Sequence, residues 1–148
     1  MSIVQVFYIS RCDHSVTPTD VHRIVGSSQV RNRRRQVTGL LAYSGQHFAQ
    51  VVEGSAAEVD GLLDSISGDP RHQQMKVLQR LEGVPRRFGN WSMHLVDSVA
   101  RSDEIEKLFN TPDDSVPAAT AAQLLDAIAA DVHWHHADDL APEERSRS

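Results

Sequence analysis

Apolar side chains occupy both faces of Ile3-Val4-Gln5-Val6-Phe7-Tyr8-Ile9-Ser10, which predicts a strand in the middle of a covered sheet. Alternation puts Val4, Val6 and Tyr8 on one of those faces. Thr17-Pro18-Thr19-Asp20 then opens a helix, with Thr17 as N-cap, Pro18 at the first position and an acid in the first turn. Val21, Ile24, Val25 and Ser28 form its inward stripe, and the helix is expected to end near Asn32. Val37–Tyr43 and Gln46–Glu53 read as two strands joined by a tight Ser44-Gly45 turn, a hairpin. Ser55-Ala56-Ala57-Glu58 reads as a capping box. The helix behind it carries Val59, Leu62, Leu63 and Ile66 at core spacing and stops at Gly68-Asp69-Pro70. Met75–Glu82 and Trp91–Val96 are the remaining strands.

The order β-α-β-β-α-β with one further strand predicts an α+β fold of ferredoxin-like type: a five-stranded mixed sheet with two helices on one face. Two such helices lying side by side leave a slot above the central strands. After Asp97 the pattern changes. Ser102–Phe109 reads as a short helix, broken by Thr111-Pro112-Asp113-Asp114. Pro117 to about His133 reads as a longer Ala-rich helix with Leu124, Leu125, Ile128 and Val132 on one side. A helix of this kind is marginal alone, so its apolar side should dock on the sheet face opposite the first two helices. The expected organisation is a domain over residues 1–97, a helical extension over 98–136 and a disordered tail over 137–148.

Hydrophobic residues make up 40% of the 148 and charged residues 24%, the balance of a water-soluble globular chain. No apolar run reaches membrane-spanning length and no leader opens the chain, so a cytoplasmic protein without membrane attachment is expected. The lone cysteine, Cys12, excludes an internal disulfide framework. The net charge of −5 is unevenly placed, +2 up to Asp97 and −7 beyond it. That acidic extension argues against nucleic acid as the main partner. The basic cluster Arg31–Arg35 lies at a helix end, where cations are favoured.

Gln50 changes the picture most. In His47-Phe48-Ala49-Gln50-Val51-Val52-Glu53-Gly54 it shares a face with Phe48 and Val52 and should be buried with them. An amide left unpaired there would cost about 1–3 kcal/mol. Tyr8 stands on a similarly apolar strand. The two could satisfy each other, or both could face a ligand. Around them stand Ser28-Gln29-Val30-Arg31-Asn32, Val37-Thr38-Gly39-Leu40-Leu41-Ala42-Tyr43, Asp69-Pro70-Arg71-His72 and Arg87-Phe88-Gly89-Asn90-Trp91-Ser92-Met93. This series, in this order and spacing from Ser2 to Asp97, resembles the BLUF family of flavin-binding blue-light sensors. The T-G-L-L, Q-x-x-E-G and D-P-R-H signatures are all present. Arg31, where many members carry asparagine or histidine, and the triple arginine Arg33-Arg34-Arg35 depart from the family pattern; either could alter flavin affinity.

The resemblance implies a photoreceptor with no attached enzyme, binding FAD non-covalently; FMN or riboflavin would fit the same slot. It assigns the photoactive roles to Tyr8, Gln50, Trp91 and Met93 and a flavin-site role to Asn32; the full set of expected cofactor contacts is Tyr8, Ile24, Ser28, Arg31, Asn32, Gln50, Arg71, His72 and Met93. The chemistry suits those residue types. Tyrosine can release an electron and a phenolic proton together, and glutamine presents one acceptor and two donors on one flat group. Asn32 is placed to pair with the flavin edge or to cap its helix. Trp91 and Met93, two apart on the last strand, should face the same way, so either could lie beside Gln50. Arg71 and His72 could reach the ribityl chain or phosphates. Light would rearrange the Gln50 hydrogen bonds, and the signal would leave through the last strand and the helical extension to a partner protein. Homo-oligomerisation is also expected. The alternatives are an acylphosphatase-like hydrolase using Arg31 and Asn32 on phosphate, and a flavin-free interaction module. His133-Trp134-His135-His136 suggests metal ligation but is better read as imidazoles at a helix C-terminus, so no metal is expected.

Overall fold

The computed structural model describes residues 2–89, 91–112 and 115–139. Strands β1 (Val4–Cys12), β2 (Thr38–Tyr43), β3 (His47–Gly54), β4 (His72–Glu82) and β5 (His94–Asp97) form one sheet in the order β4-β1-β3-β2-β5. All neighbours pair antiparallel except β2 with β5, which are parallel. Helices α1 (Pro18–Arg35) and α2 (Ala56–Ser67) follow β1 and β3. A short 3-10 turn, Val99–Arg101, leads to α3 (Ser102–Asn110) and α4 (Ala118–Asp139). This is the expected ferredoxin-like order with one added strand.

The sheet separates two cores. On one side Val4, Val6, Tyr8, Phe48 and Val52 pack against Val21, Ile24, Val25, Val59, Leu62 and Ile66 of α1 and α2. On the other, Phe7, Ile9, Leu40, Ala49 and Val51 pack against Ile105, Leu108, Leu124, Leu125 and Ile128 of α3 and α4. Central strands therefore need apolar residues at every position, which is why β1 reads as a nearly continuous apolar run. The apolar stripe of α4 finds its partner on the face opposite α1 and α2, as its pattern requires. Two polar ties hold the extension. Lys76 of β4 is buried and donates from Nζ to the carbonyls of Leu108 (2.9 Å) and Thr111, placing a cation at the α3 C-terminus. Arg101 forks onto Asp131 of α4, at 2.5 and 3.0 Å.

Several boundaries differ from expectation. α1 continues to Arg35 because Gln36 closes it in the left-handed conformation (φ 55°), its N–H donating to the carbonyls of Arg33 and Asn32. The three arginines thus occupy the last turn, where the helix dipole favours them. Thr17 and Asp20 form the reciprocal capping box, whereas Ser55 only accepts from the Glu58 N–H. The Glu58 carboxylate lies 3.8 Å from Arg35 instead. The hairpin connection is Ser44-Gly45-Gln46, with Gly45 at φ 96° where a side chain would be strained. β4 starts earlier than its apolar pattern because His72 pairs with Cys12 across the sheet. β5 starts later, at the point where Leu40 becomes available to pair with His94. At Gly39 an added Cβ would sit 2.0 Å from the Val51 carbonyl oxygen, so only glycine permits the β2–β3 approach there. α4 runs beyond the expected end near His133 to Asp139. The side chains of the His133–His136 cluster and residues 140–148 of the expected tail lie outside the described residues.

His47 gives the fold an acid-sensitive point. It is 2% exposed, packs tilted against Phe109 of α3 with ring centroids 4.8 Å apart, and neither ring nitrogen has a protein partner. Burial, helped by Arg11 and opposed by Glu106, holds its pKa below the ordinary 6.5. The unfolded chain therefore takes up this proton first. The neutral imidazole's contribution to stability is complete above pH 6.5 and declines as pH falls from there toward the depressed folded value. Melting temperature should accordingly fall more between pH 7.5 and 5.5 in the native protein than in His47→Phe. Equal falls in the two would contradict this reading.

Candidate functional site

Strand register builds the site's centre. Tyr8 and Gln50 are direct partners across β1 and β3, both on the face covered by α1 and α2. The two residues are 0% and 4% exposed. The Tyr8 hydroxyl donates to Gln50 Oε1, and Gln50 Nε2 approaches the Met93 sulfur at 3.5 Å. Burial raises the Tyr8 pKa far above the usual phenol range; the Arg31 charge lowers it and Asp69 raises it, both secondarily. Tyr8 thus holds its proton at any physiological pH, with Gln50 as acceptor.

Above Gln50 a narrow cleft of about 50 Å³ opens between α1 and the end of α2. Ile24, Ser28 and Arg31 line it from α1, Ile66 from α2, and Asp69 and Arg71 from the turn that follows. Arg31 is half-buried, Nη2 reaching Ser28 Oγ at 3.4 Å, while its buried Nε has no protein partner. Desolvation and then the neighbouring Arg35 depress its pKa, as expected of a guanidinium drawn toward an interior. Arg71 forks onto Asp69 at 3.0 and 2.6 Å, which keeps it charged at the cleft mouth. Asn32 is fully buried. Its Nδ2 donates to the Ser92 carbonyl at 2.7 Å and its Oδ1 has no protein partner.

The sequence-predicted residues are partly brought together. Tyr8, Gln50 and Met93 form one contact chain, with Ile24, Ser28, Arg31 and Arg71 around the cleft. Asn32 is not the helix cap; Gln36 holds that position, and Asn32 instead grips the segment leading into β5. Trp91 and Met93 do not face the same way, because they precede β5 and do not follow strand alternation. Met93 joins the core beneath α1 and α2, while Trp91 packs on the opposite face, stacked between Phe88 (6.1 Å) and His94 (4.9 Å). The His72 side chain lies outside the described residues. Gln29 was not singled out from the sequence, yet its Nε2 donates to the Met93 carbonyl at 2.9 Å. Its place three residues before Asn32 on α1 was the available signal.

A buried tyrosine–glutamine pair beneath a cleft between two helices thus defines the site. The model of the family described as sensors of blue-light using FAD, BLUF, matches residues 3–94. The chain belongs to the BLUF family. It is 33% identical over 96 residues to the photoactivated adenylate cyclase subunit beta of Euglena gracilis, covering 64% of this chain and 11% of that protein. The chain thus spans only a small part of the length of such relatives. The dark-state structure of the BLUF protein BlrB matches with TM-score 0.66 and 35% identity, over 82% of this chain and 97% of that one. Klebsiella pneumoniae BlrP1 with FMN and cyclic diGMP matches with TM-score 0.64 and 28% identity, over 87% and 35% respectively.

The residues present fit a flavin. Apolar Ile24 and Ile66 wall the cleft, Arg31 lines it with a buried Nε donor that has no protein partner, and Gln50 lines the floor, while the orphaned acceptor Asn32 Oδ1 is buried on the next residue of the same helix. A phosphate hydrolase finds less here, since the Asn32 donor is already spent on Ser92. Among the described residues no helix is long and apolar enough to cross a membrane.

Proposed function

We propose that this chain is a blue-light sensor in which Tyr8 and Gln50 form the switch, Met93 is its first responder, and the α3–α4 extension carries the signal to a partner protein. The observation that carries this reading is the buried Tyr8–Gln50–Met93 contact chain, floored by direct strand register. Bound flavin supplies the absorption of blue light and, once excited, a strong oxidant. Tyr8 is the residue able to yield an electron and the proton on its Oη together. Gln50 accepts that hydroxyl through Oε1 and offers Nε2 on the other side of the same plane. Rotation or tautomerisation of the amide reverses this polarity, and the contact with the Met93 sulfur changes with it. Met93 is tied to α1 through Gln29 and followed at once by β5, so the change has a short route to the face holding α4.

FAD is the proposed cofactor, on the family's description, with Arg71 at the cleft mouth available to its phosphates. Heat denaturation should release one flavin per chain, and chromatography of the supernatant distinguishes FAD from FMN and riboflavin. Protein that stays colourless when expressed with supplementary flavin would overturn the proposal.

A further inference from the structure

Glu53 lies three residues beyond Gln50 on β3 and, by alternation, on the other face of the sheet. It is a fully buried carboxylate, 0% exposed, and both oxygens are fully engaged. Oε1 accepts from Thr38 Oγ1 (3.0 Å) and the Phe88 N–H (2.9 Å). Oε2 accepts from Gln5 Nε2 (2.9 Å) and the Arg87 N–H (2.6 Å). Arg86 completes the clasp. Its Nη1 donates to Thr38 Oγ1 (2.8 Å) and the Glu53 carbonyl (3.2 Å), and its Nη2 to the Gln36 carbonyl (2.6 Å). Two backbone amides and the Arg86 guanidinium thus fasten the β4–β5 connection to the end of β3, while Gln5 and Thr38 hold the carboxylate from β1 and β2.

The part of that connection from Arg86 onward ends at Met93, whose sulfur touches Gln50. One strand therefore grips the segment at both ends, Glu53 from one face and Gln50 from the other. Phe88, held by Glu53, stacks its ring on Trp91, which lies between the grips, and both pack in the core shared with α4. Arg87, held by its amide, reaches Asp126 of α4 at 2.9 Å. With the Glu53 end fixed, a displacement at Met93 has to be absorbed at Trp91 and passed to α4. With that end free, Arg87 and Phe88 lose their anchor and can yield without disturbing α4, although the Gly39 N–H still holds the Trp91 carbonyl (3.0 Å) and Asn32 Nδ2 the Ser92 carbonyl (2.7 Å).

We propose that Glu53 is a positioning residue that couples the Gln50 switch to the C-terminal helices by anchoring the β4–β5 connection. This rests on the photoswitch reading above. Glu53→Gln keeps the shape but turns an acceptor into a donor, facing partners that are themselves donors. The test compares flavin absorption and amide exchange, dark and illuminated, in the flavin-loaded full chain. The variant should keep the light-driven red shift of the flavin band. Its light-minus-dark exchange response over 118–131 should fall about tenfold, a coupling loss of ~1.4 kcal/mol. A merely structural role would change exchange equally in both states and leave the difference intact. A normal difference in α4 overturns the proposal, as does a variant that holds flavin but loses the red shift, since Glu53 would then act on the switch itself. Should Glu53→Gln not retain flavin, Thr38→Val, which removes one donor and the Arg86 bridge, must show the same selective weakening; an unchanged α4 response there overturns it too. If the native protein shows no red shift, it is the photoswitch reading that fails, before any variant is made.

Discussion

Tyr8→Phe is expected to keep its flavin and lose the light-driven red shift altogether. The substitution removes one oxygen from a fully buried ring, so packing against Val4, Val6 and Phe48 is retained. What disappears is the hydrogen bond to Gln50 Oε1 and, with it, the phenolic proton shared with that amide. The unpaired Gln50 oxygen costs about 1–3 kcal/mol, which lowers stability without dissolving the fold. Gln50→Ala should lose the red shift as well, because Tyr8 then has no amide to reorganise. It also opens a cavity on the cleft floor, so flavin affinity should fall in that variant and not in Tyr8→Phe. Absorption spectra of both variants before and after blue light check these outcomes. A normal red shift in Tyr8→Phe would remove the phenol from the switch.

Leu124→Asp is expected to release α4 in the dark. Leu124 is 0% exposed and sits among Phe7, Ile9, Leu40 and Val51 of the sheet. Losing an apolar side chain there costs about 2–5 kcal/mol, and burying a carboxylate without a partner adds to it. The cheaper response is for the helix to leave the sheet, since a helix of this length has little stability of its own. An opening cost lowered by ~3 kcal/mol raises amide exchange in α4 by about two orders of magnitude. The domain carrying Tyr8 and Gln50 should remain folded on its own α1–α2 core. Asp126→Asn is the surface control: its pair with Arg87 is exposed and worth roughly 1 kcal/mol or less. Hydrogen exchange across 118–131 measures both, and unchanged dark protection in Leu124→Asp would mean that α4 is held by something other than this face.

The fold was legible in the sequence because its signals are local. Thr17-Pro18, the Ser44-Gly45 turn and Gly68-Asp69-Pro70 mark boundaries by backbone chemistry alone. The central site was legible for a related reason: Tyr8 and Gln50 are polar intrusions on otherwise apolar strand faces, and burial forces such groups to find each other. The connection before β5 was not legible in this way. Its shape is set by long-range bonds from Glu53, Asn32, Gln29 and Gly39, whose amide donates to the Trp91 carbonyl at 3.0 Å. Alternation was extended to Trp91 and Met93 although they lie outside the strand, which put them on one face when they occupy two. Glu53 stands in a strand pattern where a charged residue at the end of an apolar run looks like a solvent-facing terminus. Only the folded backbone brings the Arg87 and Phe88 amides to it.

The most direct measurement is the absorption spectrum of the flavin-loaded native protein in the dark, under blue light, and during recovery. Rearrangement of the hydrogen bonds at Gln50, with Tyr8 returning to its original state, should give a small red shift of the flavin band that reverses fully in the dark without lasting bleaching. A band that does not move, or that bleaches permanently, would contradict a switch built from Tyr8 and Gln50.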